Sequence, residues 1–99
     1  MRGRNWQPTE RTGGPIDEVF DNLRQNIPHL LIERLDVTHP SDDDNVYFLG
    51  VSPRPDLVQI DTAPHGQPPF IIEADQRIVT DDPLHAATTT RAWLDQLTA

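Results

Sequence analysis

Val46 to Thr80 reads VYFLGVSPRPDLVQIDTAPHGQPPFIIEADQRIVT, four short apolar runs separated by clusters of proline, glycine, serine and aspartate. The first run, Val46–Val51, has the aromatic and branched content of a central strand. The second, Leu57–Thr62, sets Val58 and Ile60 against Gln59 and Asp61, the period-two pattern of a strand with one wet face. In the third, Pro69–Ala74, the same period puts Phe70, Ile72 and Ala74 inward and Ile71 and Glu73 outward. The fourth, Arg77–Thr80, is short enough for a sheet edge. Connections this short join antiparallel neighbours, because a parallel crossover needs a dozen or more residues. The pattern is that of a meander.

Upstream, His29–Thr38 (HLLIERLDVT) reads as a further strand, with Leu35 and Val37 on one face and Arg34 and Asp36 on the other. Leu30, Leu31 and Ile32 are consecutive, so a helical turn after Pro28 is the alternative for that half. Glu33 shares the Leu35 face, which marks it for partial burial. Before Pro28, Ile16, Val19, Phe20, Leu23 and Ile27 recur at helical spacing, with Pro15 suited to the first helical position and Asp17 and Glu18 to the positive end of the dipole. Downstream, Thr80-Asp81-Asp82-Pro83 supplies a side-chain cap and a preset first dihedral. Ala86, Ala87, Thr90, Trp93, Leu94 and Leu97 form the apolar stripe of a second helix. The expected fold is α+β: an antiparallel meander of four to five strands with an N-terminal and a C-terminal helix packed on one face.

Ninety-nine residues suffice for one compact domain. Residues 15–99 are expected to form it, and residues 1–14 a flexible basic arm broken by Gly3, Pro8, Gly13 and Gly14. The arm carries Arg2, Arg4 and Arg11 against Glu10, a net +2, which leaves five arginines against fifteen acids, −10, in the remainder. Trp6 is a large aromatic in that arm and hence a candidate docking residue, toward a partner or a twin subunit in a homodimer.

The chemistry that the composition excludes is extensive. With no cysteine there is no disulfide, thiolate nucleophile or cysteine-ligated metal, and with no lysine there is no Schiff base. No apolar run is long enough for a membrane span or a signal-peptide core, so a soluble, cytoplasmic protein is expected. The lysine-free basic set fits the codon usage of a GC-rich, bacterial genome. A body of charge −10 repels nucleic acid, and no glycine-rich phosphate loop links a strand to a helix.

The densest group of functional side chains is the loop His39-Pro40-Ser41-Asp42-Asp43-Asp44-Asn45. His39, Asp42 and Asp44 are its candidate ligands for a hard cation, but the spacing lacks the glycine and terminal glutamate of a calcium hand, so no metal or other cofactor is expected. Ser41 and Ser52 each adjoin a proline outside any nucleophile-elbow pattern, and no catalytic residue is assigned. The loop residues His39, Asp42, Asp43, Asp44 and Asn45, with Trp6, are therefore the candidate contacts for a protein partner, and charge complementarity calls for a basic one.

A turn leading into PPFIIE, the T-D-D-P cap and a tryptophan-bearing terminal helix, together spanning about residues 57–97, resemble small bacterial immunity proteins. The resemblance implies a non-catalytic protein that neutralises a toxin by binding it, and it transfers no site residues. Two alternatives stand beside it. One is a small-molecule or metal-binding protein, perhaps enzymatic, with a pocket between sheet and helices built from His39, His65, Glu33 or Glu73. The other is a homo-oligomeric accessory protein with an exchanged N-terminal arm.

Overall fold

A computed structural model describes residues 3–37, 39 and 43–99. Six strands form one antiparallel sheet in sequence order: β1 (Gly3–Asn5), β2 (Leu30–Leu35), β3 (Val46–Val51), β4 (Arg54–Ala63), β5 (Gln67–Glu73) and β6 (Arg77–Thr80). Helix α1 (Ile16–Asn26) and helix α2 (Pro83–Thr98) pack on one face. The α+β class and the meander match the sequence reading, with one strand more than expected.

The extra strand comes from the N-terminal segment. The sequence reading sets residues 1–14 apart as a flexible arm; the structure takes residues 3–14 into the domain. Gly3, Arg4 and Asn5 pair with Leu35, Arg34 and Glu33, and the Trp6 amide extends the ladder by donating to the Ile32 carbonyl at 2.7 Å. Trp6 is 5% exposed within the core. Burying an indole is worth on the order of 2–3 kcal/mol, enough to order a short segment whose backbone hydrogen bonds are also made.

The following turn is held by carboxylates. Glu10 accepts from the Gln7 amide at 2.7 Å and from Arg4 at 3.0 Å, and these bonds hold its pKa below the ordinary value. Asp17, in the first turn of α1, accepts from the Thr12 amide, the Thr12 hydroxyl and the Gly13 amide. Pro15 caps α1 rather than opening it. Gly14 lies against the one-turn 3-10 helix Pro64–Gly66; a Cβ there would overlap the His65 carbonyl oxygen and Gly66 backbone.

The inner face of the sheet carries Leu30, Ile32, Tyr47, Leu49, Val58, Ile60, Phe70 and Ile72, all buried against Ile16, Val19, Phe20, Leu23, Ala86, Ala87, Trp93 and Leu94. Inward Val58, Ile60, Phe70 and Ile72 follow the sequence reading, whereas Ala74 is exposed in the turn after β5. On β2 the alternation is right but its sense is reversed. Leu30 and Ile32 face the core, so Arg34 shares their side, and Glu33 and Leu35 fall on the open side. The cap of α2 forms as read, Asp82 accepting from the Leu84 amide at 3.0 Å.

Candidate interaction surface

Arg34 ends the inner face of β2, where the sheet runs out from beneath the helices. Its guanidinium lies 5.2 Å from the Trp6 ring centroid and 5.4 Å from that of Tyr47. Arg4 reaches the Trp6 ring at 5.5 Å. Cations over aromatic faces are attracted by the ring quadrupole, so the inward arginine is compatible with its apolar neighbours. Tyr47 also meets Trp6 edge-on at 5.6 Å and Phe20 at 4.9 Å. Its hydroxyl is buried without a hydrogen-bond partner, and burial pushes the phenol up to about 12.

The same arginine organises the described part of the acidic loop. Its Nε donates to the Asp44 carbonyl at 2.9 Å, and Nη2 reaches the Asp44 carboxylate at 3.3 Å and the Asn45 side-chain oxygen at 3.4 Å. Asp43 accepts from the Asn45 amide at 2.8 Å. Asp44 and Asn45 thus turn back onto the domain, while Asp43 and His39 are exposed. Asp42 lies outside the described residues. Trp6 and the loop meet through Arg34, and the indole, spent on the protein's own core, presents no free face to a partner. Among the described residues no three His, Asp or Glu side chains are placed to hold a metal ion.

His65 and Glu73, the remaining pocket candidates, lie apart. His65 adopts φ +64 in the 3-10 turn and borders a polar hollow with Arg11, Thr12, Arg34, Asp44, Asn45 and Pro64. Glu73 is on the opposite side of the sheet. The space between sheet and helices is filled by core side chains.

That opposite side is the most extensive surface with a coherent composition. Register places Asn5, Glu33, Phe48, Gln59, Glu73 and Arg77 in one row across all six strands. A second row contains Asp61, Ile71 and Val79, with Val46 opposite Asp61 and Gly3 opposite Leu35. Apolar Leu35, Val46, Phe48, Leu57 and Ile71 are half-buried here, and Val79 is 54% exposed. Phe48 and Leu57 border a shallow hollow of about 400 Å³ with Gln59 and the carboxylates of Asp56, Glu73 and Asp75. Glu33 and Glu73 stand three strand spacings apart, about 14 Å, so they act as separate charges on a face. The chemistry offered is an apolar centre bordered by negative charge.

No protein-family model matches the chain, and no curated protein or solved structure matches it. No helix among the described residues is long and apolar enough to cross a membrane. Phe48 and Arg34 are the residues that sequence reasoning missed. The signal for Phe48 was its alternation with Tyr47 and Leu49; for Arg34 it was the shared parity with Leu30 and Ile32.

Proposed function

We infer that this protein is a non-catalytic interaction module of the cytoplasm that covers a basic protein partner with its open sheet face, in the manner of a small bacterial immunity protein. The observation that supports the reading is the row Glu33–Phe48–Gln59–Glu73, an aromatic set among carboxylates on a six-stranded face that neither helix covers. Half-buried apolar residues supply area, and the carboxylates, with a chain charge of −8, select and steer a cationic partner. Exposed His39 and Asp43 extend the contact at the rim.

The test is affinity capture with wild type and with Phe48→Arg, followed by titration of the purified captured protein at low and high salt. The reading expects a basic partner, binding that weakens with salt, and loss of binding in F48R with an unchanged circular dichroism spectrum. A captured protein that binds F48R equally well overturns it. So does a thermal-shift screen in which a metabolite or metal stabilises the chain while no protein binds.

A further inference from the structure

The sheet has two ends, and they differ. At one, β1 is three residues long and the chain turns into the core at Trp6. At the other, β6 pairs with β5 alone among the described residues, so its outer backbone groups face away from the sheet. Such an edge is a template for another strand. Val79, at its centre, is the more exposed of the edge's two branched residues, and Ile78 is half-buried on the helix side.

The sequence Arg77-Ile78-Val79-Thr80-Asp81 constrains what can pair there. A two-fold axis between antiparallel strands requires one residue to face its own copy, and opposed residues then share a side of the sheet. Centring the axis on Arg77 opposes two guanidinium groups. Centring it on Ile78 sets each Arg77 against a Val79. Centring it on Thr80 sets Val79 against Asp81 and Ile78 against Asp82. Centring it on Val79 alone sets valine against valine, Ile78 against Thr80, and each Arg77 against Asp81 of the other copy. Arg77 already lies 3.7 Å from Glu73 on its inner neighbour. The Val79 register therefore extends an alternating row, Glu73, Arg77, Asp81, across the two-fold.

We propose that β6 is a homodimer edge, pairing antiparallel with β6 of a second copy in the register centred on Val79 and joining the two sheets into one. The occupant is a second copy because the charges of the edge complement those of the edge itself. Two four-residue strands bury little area, so the association is weak and concentration-dependent. The proposal is independent of the partner reading, since it concerns the purified chain alone.

Sedimentation velocity of the purified full chain from about 1 µM to about 1 mM tests it over the range of weak associations. Wild type is expected to shift toward twice the monomer mass with rising concentration. Arg77→Asp and Asp81→Arg each place like charges opposite one another and weaken the dimer roughly tenfold or more. The double variant R77D/D81R reverses both charges and restores it. Val79→Arg, at an exposed position that folding does not need, gives a second disruption. A wild type that stays monomeric throughout, single variants that dimerise like wild type, or a double variant that fails to recover each overturns the proposal.

Discussion

Tyr47 is the chain's one tyrosine, and the sequence has neither lysine nor cysteine, so from about pH 9 to about pH 11.5 its phenol is the side chain that titrates. Burial holds it at about 12 in the folded protein, against about 10 in an unfolded chain. Below about pH 10 both states keep the proton and the phenol contributes no pH dependence. Above that, the unfolded chain releases its proton while the folded chain retains it, so the unfolded state binds fewer protons and stability falls as pH rises. The slope is about 1.4 kcal/mol per pH unit, and the total loss approaches 2–3 kcal/mol near pH 12. Tyr47→Phe removes the titration. It also removes a buried hydroxyl without a partner, so at neutral pH the variant is expected to equal wild type or exceed it by up to about 1 kcal/mol. Urea unfolding of both proteins at steps from about pH 8 to about pH 11.5 measures the difference, with phenolate absorbance followed in folded and urea-unfolded samples. A folded phenol that ionises near pH 10, or an alkaline loss of equal size in Y47F, would refute the assignment.

Trp6→Ala removes an indole buried against Tyr47 and should cost about 3–5 kcal/mol, a large share of the stability of a domain this size, read by urea unfolding. Its hydrogen-exchange counterpart is loss of protection at the Trp6 amide, which donates to Ile32. Gly14→Ala forces a Cβ onto the His65 carbonyl and should destabilise by about 1–3 kcal/mol, visible as a lowered Tm. Asp82→Ala deletes the cap on the Leu84 amide; a loss of about 1 kcal/mol, or roughly 4–8 °C in Tm, is expected, with Asp82→Asn retaining most of it.

The strands from Val46 to Thr80 were legible because period two is a local property: Val58 and Ile60, or Phe70 and Ile72, announce a buried face whatever lies above them. The two helices were legible for the same reason, their stripes and the Asp82-Pro83 cap being readable within one element. Two features required distant residues. Gly3–Asn5 has no strand pattern of its own and becomes one because β2 offers an edge and the core accepts Trp6. Arg34 reads as a solvent-facing charge until Trp6, Tyr47 and Asp44 converge around it, from segments that no local spacing links. The acidic loop was visible as composition, but which of its side chains point outward was decided by that arginine.

The alternation along each strand, the order of elements and the net charge were thus determined by the sequence itself, since each depends on near neighbours or on a sum. Which face of β2 is covered, where the N-terminal segment goes, and which apolar and acidic residues share the open side were decided by tertiary structure alone. Those outcomes depend on register, and register is fixed only when all six strands bury their inner faces at once.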